Sequence, residues 1–330
     1  MSEPCILCGS TAGKMLFRAT DRLYRTTDKT FDLVECSACG LIRLSPRPTP
    51  VEAATYYPGN YWFDPAQSTA GRLEELYRRW VLGDHVRFVT RALREAEVGQ
   101  VPDLPAVEQK ISGSLILDIG CGGGLFPGML RERGYRAIGL DLSPQAAALA
   151  WKQHAVPAVA GEMTCSPIAP NTCAAVTMFH VLEHLDQPEC YLREAHRLLR
   201  PGGRLIVQVP NAASWQFALL GAAWNGVDTP RHIHLFRDSD LEKLLVKAGF
   251  TPLRKKYFSL RDNPAGLATS LAPSLDPMAR RVRGRSESPG ARLAKDLLYF
   301  ALVLASVPFA AAEALARAGS TIMIEAQKPA

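Results

Sequence analysis

From residue 115 onward, short apolar runs alternate with stretches whose apolar residues return every three or four positions. The runs at 115–118, 135–140, 156–160, 174–179 and 204–209 have the length of buried strands. The stretches leading to Arg133, over 143–154 and over 190–199 have a helical period. Such alternation predicts an α/β architecture: a Rossmann-like, mostly parallel sheet with helices on both faces. Further on, 241–248 reads as a helix stopped by Gly249, 253–258 as a strand and 278–290 as a basic loop. An apolar helix at 293–318 and a closing strand at 321–326 complete this part.

Upstream, Leu73, Leu76, Tyr77, Trp80 and Val81, then Val86, Val89 and Leu93 beyond Gly83, predict one or two amphipathic helices over 71–97. Tyr56, Tyr57, Tyr61, Trp62 and Phe63 form an aromatic group before them, after a stiff Pro-rich link at 45–50. The expected domains are 1–48, a linker with a possible acceptor lid over 49–110, and 111–330 with a helical insertion at about 262–318.

Four of the eight cysteines form two matching knuckles, Cys5-Ile6-Leu7-Cys8-Gly9 and Cys36-Ser37-Ala38-Cys39-Gly40. Each CxxC sets two thiolates on one tight turn, and two knuckles supply the four soft ligands of a tetrahedral structural Zn²⁺. Strands at 14–17 and 31–34 would make the region a zinc ribbon. Disulfides and a redox CxxC are the alternatives; neither suits paired, distant CxxCG motifs without a secretory context.

A chain of 330 residues with 47% hydrophobic and 21% charged residues is neither disordered nor a coiled coil. A net charge of +6 is mild for a dedicated nucleic-acid binder. The start lacks the basic and apolar regions of a secretory signal, so a cytoplasmic chain is expected. The apolar run 297–312 is broken by Ser306 and Pro308 and falls short of the roughly 20 residues of a membrane span. Arg280, Arg281, Arg283 and Arg285 before it suit peripheral contact with anionic lipid through 280–312; a solvated loop and a core helix are the plainer reading.

The sharpest chemical signal is Leu115-Ile116-Leu117-Asp118-Ile119-Gly120-Cys121-Gly122-Gly123-Gly124, a strand running into a glycine loop. Glycines allow a sharp turn and let a ligand lie on the main chain. Asp141, at the tip of the next strand, can accept both hydroxyls of a ribose. A dinucleotide normally uses GxGxxG against a pyrophosphate. Here Asp118 heads the loop, and a carboxylate there suits a ligand carrying an ammonium group, as S-adenosylmethionine does; anchoring the loop is its other role.

Together with His180-Val181-Leu182-Glu183-His184-Leu185 and Leu198-Leu199-Arg200-Pro201-Gly202-Gly203-Arg204-Leu205, these motifs resemble those of class I S-adenosylmethionine-dependent methyltransferases, in particular the ubiquinone-biosynthesis-type branch. The CxxC pair is similar to that of bacterial methyltransferases acting on sugars or secondary metabolites. The resemblance implies a seven-stranded sheet with its last strand antiparallel. It also implies that Gly120, Gly122 and Gly124 cradle the methionyl part, that Asp141 with Leu142 beside it holds the ribose, and that Glu162 lies near the adenine. Met163 and Phe179 then line the donor cleft or belong to the core.

Methyl transfer from a sulfonium needs alignment and, for an oxygen or nitrogen acceptor, a base. His180, His184, His232 and His234 are the candidates, in the segments that follow the fourth and fifth strands. The H-x-x-E-H spacing of 180–184 also matches an inverted zinc-peptidase helix, which explains five residues but not their surroundings. The expected acceptor is a small molecule, a sugar or a lipid-linked compound. An RNA methyltransferase gripping nucleic acid with the ribbon is the alternative, and the ribbon's few cations speak against it.

Overall fold

The computed structural model describes residues 3–57, 69–98, 114–284 and 287–330. Its first sheet grows from the cysteine knuckles. Gly13–Thr20 (β1), Thr30–Cys36 (β2) and Ile42–Ser45 (β3) run antiparallel in sequence order. In each knuckle the glycine amide donates to the first cysteine's carbonyl, Gly9 to Cys5 at 2.8 Å and Gly40 to Cys36 at 2.9 Å. Both glycines have positive φ, 75° and 85°, where a side chain would be strained.

Pro50–Thr55 (α1) opens on a capping box of Thr49 and Glu52. Thr69–Val98 (α2) is one helix that passes through Gly83 unbroken. Its second half buries Val81, Leu82, Val86, Val89 and Leu93 against the sheet; Leu76 and Trp80, on the same stripe by periodicity, are exposed. Tyr61, Trp62, Phe63 and the connector over 99–113 lie outside the described residues.

The alternating region then runs Leu115–Ile119 (β4), Leu125–Arg131 (α3), Arg136–Asp141 (β5), Pro144–His154 (α4) and Ala158–Ala160 (β6). Cys173–Phe179 (β7), Pro188–Leu198 (α5) and Leu199–Pro210 (β8) follow. Trp215–Leu220 (α6), His234–Leu235 (β9), Asp238–Lys247 (α7) and Thr251–Lys256 (β10) come next. The chain ends with Asn263–Leu271 (α8), Pro277–Val282 (α9), Pro289–Leu315 (α10) and Thr321–Gln327 (β11). The main sheet has the order β10-β11-β8-β7-β4-β5-β6, and β11 is antiparallel to both its neighbours while the other pairs are parallel. This is the seven-stranded sheet anticipated from the motifs. Ile116 and Leu117 point to opposite faces and are both fully buried, as a central parallel strand requires. Truncating either to Ala would cost about 2–5 kcal/mol.

Two features depart from the sequence reading. The stretch 278–290 is not loop throughout: Asp276 accepts from the Ala279 amide, Pro277 fits the first turn, and α9 forms over its first part. Arg280 turns inward to Glu287 at 2.8 Å and to Asp296, so it is not offered to a lipid surface. The ribbon is also no separate appendage. Its strand β3 pairs with β9, setting Arg43 opposite His234 and Ile42 opposite Leu235.

Candidate functional site

At the carboxyl ends of β4 and β5 the glycine loop folds over the neighbouring strand. The amides of Gly120 and Cys121 donate to the Leu140 carbonyl at 2.7 and 3.2 Å. Gly120, Gly122 and Gly124 all have positive φ, and a Cβ on Gly120 would stand 2.8 Å from Val181 Cγ2. Asp141 accepts from the Gly122 amide through Oδ2 and from the Ser143 amide through Oδ1, each at 2.9 Å. Each oxygen keeps a further lone pair for a ligand hydroxyl. Asp118 is buried and accepts from Thr177 Oγ1 at 2.6 Å; burial and the charge of Asp141 push it up to about 7. A cation bound beside it would restore the carboxylate.

Leu142 follows Asp141 and is exposed. Glu162 is exposed at the tip of β6, with Thr164 Oγ1 donating to it at 3.3 Å. Met163 is fully buried and packs in the core. Phe179 meets Phe126 and His85, both edge-on with centroids 5.0 Å apart.

Past β7 the chain makes a tight turn. His180 has φ +56°, a conformation costing a non-glycine residue about 1–2 kcal/mol. Its amide is held by the Gln208 carbonyl at 2.8 Å. Its ring lies between two carboxylates: Nδ1 is 3.2 Å from Glu183, and Nε2 is 3.5 Å from Asp262 and 2.8 Å from the Gln208 side-chain nitrogen. Burial alone would depress the imidazole, but Asp262 and Glu183 outweigh it and raise it to about 9. Those carboxylates favour the charged ring, whereas the Gln208 amide nitrogen at 2.8 Å calls for a lone pair on Nε2, so two demands compete at this ring.

His184 behaves oppositely. Burial and the neighbouring His232 push it down to about 4, so its ring is neutral. Nδ1 lies 3.0 Å from the Arg231 carbonyl and 3.0 Å from the Tyr57 hydroxyl. The carbonyl can only accept, so Nδ1 carries the hydrogen and Nε2 the lone pair. In His232, Nδ1 lies 2.8 Å from the Gly226 carbonyl. The two rings meet edge-on at 4.6 Å. One ligating atom from each of Glu183, His184 and His232 falls within 4.8 Å of the others, and Glu183 Oε2 is buried with no hydrogen-bond partner. Such a group can take a proton from an acceptor or hold a divalent cation.

His234 does not join them. The alternation that sets His232 and His234 on one side holds only for an extended segment, whereas here β9 begins at His234 and pairs with the ribbon. Its buried ring packs on Phe236 at 5.9 Å. The loop before it is fixed by Arg231, fully buried between Asp21 of the ribbon at 2.8 Å and Asp228 at 2.7 Å, with the Tyr24 ring 4.4 Å beneath the guanidinium. Arg231 in turn offsets the burial of Asp21 and holds that carboxyl at about 2.

Sequence reasoning missed His85, Gln208 and Asp262. Gln208 Nε2 donates to Asp262 at 2.7 Å, and His85 Nε2 lies 3.8 Å from the same carboxylate with both ring nitrogens buried and without hydrogen-bond partners. A lone polar residue inside the apolar run 205–209 was the available signal for Gln208.

Cys5, Cys8, Cys36 and Cys39 converge as the knuckles predict, with all four sulfurs within 4.8 Å. The Cys5–Cys39 and Cys8–Cys36 separations are both 3.5 Å, near the roughly 3.8 Å edge of a tetrahedron with Zn–S bonds of about 2.3 Å.

Comparison with known proteins bears on the donor end. The family described as "Methyltransferase domain" matches residues 85–255. Similar curated proteins include the ubiquinone biosynthesis O-methyltransferase of Pseudomonas aeruginosa (strain UCBPP-PA14), 32% identical over 44% of this chain and 73% of that protein. The protein of the same name from Xanthomonas oryzae pv. oryzae (strain PXO99A) is 28% identical over 52% of this chain and 74% of its own length. Among solved structures, a SAM-dependent methyltransferase from Archaeoglobus fulgidus aligns with 79% of this chain and 100% of its own at 15% identity and a TM-score of 0.47.

Proposed function

The chain belongs to the methyltransferase-domain family, as a class I S-adenosylmethionine-dependent methyltransferase, and from that premise we propose that it methylates a hydroxyl oxygen of a small-molecule, glycan or lipid-linked acceptor. The donor supplies an electrophilic methyl group on a sulfonium whose departure leaves a neutral thioether. The residues fit that donor. The glycine loop leaves room for a ligand on its backbone, Asp141 has lone pairs for a ribose, and buried Asp118 gains from a cation at its side.

The convergence of Glu183, His184 and His232 carries the reading of the acceptor end. With Nδ1 of His184 committed to the Arg231 carbonyl, its Nε2 lone pair is fixed in direction before any acceptor arrives. His184, neutral at physiological pH, takes the hydroxyl proton; Glu183 stabilises the imidazolium that results. His180, set between Glu183 and Asp262, orients Glu183. The O-methyltransferase names of the similar curated proteins support oxygen over nitrogen or carbon. The four cysteines support a structural zinc, since four thiolates leave no open position for catalysis.

The test is transfer of a labelled methyl group from donor to fractionated acceptors. Label is expected in hydroxyl-bearing small molecules or envelope extracts, and its appearance in total RNA alone would contradict the proposal.

A further inference from the structure

Helix α10 is inverted relative to an ordinary surface helix. The polar residues of its carboxyl half, Ser306 and Glu313, face the protein. Glu313 is fully buried and receives hydrogen bonds from Gln216 Nε2 at 2.7 Å and the Ser320 amide at 3.2 Å; Tyr299 reaches Thr269 at 2.8 Å. Leu293, Leu297, Leu298, Phe300, Leu304 and Leu315 are exposed, Leu297 at 61% and Leu304 at 55%. No charged residue occurs between Leu297 and Ala312. By length and composition the helix is apolar enough to cross a membrane, with a mean hydropathy of 1.8 over its best 18-residue window, yet only 22% of that window is buried.

It does not leave the fold. The Arg280–Asp296 pair ties its amino end to α9, the Glu313–Gln216 bond ties its carboxyl end to α6, and β11 follows at Thr321 in the main sheet. The apolar face continues onto α2, where Trp80 is 65% exposed, Leu76 is exposed, and the Tyr77 ring meets Phe300 at 6.3 Å.

Charge selects the occupant. Residues 277–296 hold Arg280, Arg281, Arg283, Arg285, Arg292 and Lys295 against Glu287 and Asp296, a net +4 within a chain whose total is +6. An uncharged face more than three turns long beside a cationic segment matches a bilayer, apolar beneath and anionic at its headgroups. A second copy of the chain would bring the same net charge of +6, which opposes rather than attracts that segment. We infer that the α10–α2 face docks on an anionic phospholipid bilayer, the helix lying in the plane of the interface with its leucines below the headgroups.

Full-length protein is sedimented with vesicles of phosphatidylglycerol and phosphatidylcholine, and with vesicles of phosphatidylcholine alone. Binding is expected to the anionic vesicles, falling as salt rises. The pair L297D/L304D is expected to weaken it about tenfold or more, and R281E/R292E about tenfold. Both altered positions of the leucine pair are exposed, and unchanged donor affinity in calorimetry shows that each variant is folded. That control also separates failure of docking from failure of the methyltransferase reading. Absence of binding, equal binding to both vesicle types, or a dimer in sedimentation equilibrium that L297D/L304D dissolves would overturn the inference.

Discussion

The two ends of the site are built in different ways. Over β4 and β5 the proposed donor end is mostly backbone: glycines at 120, 122 and 124 and the amides that orient Asp141, all within one continuous stretch of chain. Over β7 and β8 the proposed acceptor end is built of side chains from separate segments, including Tyr57, His85, His180–His184, Gln208, Arg231–His232 and Asp262. The first can be kept intact by local sequence. The second exists only when distant segments are folded together, so it can be retuned for a new acceptor while donor binding stays as it is.

The largest test of this contrast is the ribbon. Replacing Cys36 by Ser is expected to lower metal content from about one zinc per chain and unfold the knuckles. Through Arg231 and β9 the acceptor end then loses its frame, and turnover should fall below about 1% while donor affinity, measured by calorimetry, stays within about threefold. Loss of donor binding in step with turnover would show that the two ends are not independent. Next, His184→Ala is expected to lower kcat by about 10²–10⁴-fold with the donor dissociation constant unchanged. A matching loss of donor affinity would move His184 to the other end of the site.

Asp141→Asn gives the converse at smaller size. Donor affinity should fall about 10–100-fold, the scale of a hydrogen bond to a charged group, with a lesser effect on kcat at saturating donor. The mildest test uses pH. His180 titrates near 9 in the folded chain against an ordinary value of 6.5. Its contribution to stability is therefore complete below about 6.5 and lost as pH rises through 9. The melting temperature should drop by about 2–4 °C over that window, and His180→Gln should remove the slope. An unchanged slope in the variant would assign it to another group.

This division also explains what could be read from sequence. Strand, glycine loop, helix, strand and acid succeed one another from Leu115 to Asp141, and each reports on its neighbour. His234 was grouped with His232 because local alternation is blind to β9 pairing with a strand more than 190 residues earlier. Asp262 and His85 gave no local signal, since a single polar residue becomes a partner only through packing. Periodicity likewise identified α10 as a helix but could not say which face turned inward, because so much of its surface is apolar.

The Asp21–Arg231–Asp228 link carries one more implication. It makes the smallest unit able to process an acceptor nearly the whole polypeptide. A chain trimmed of its first fifty residues would keep a competent nucleoside shell and lose the wall opposite it, giving a protein that captures the donor and never spends it.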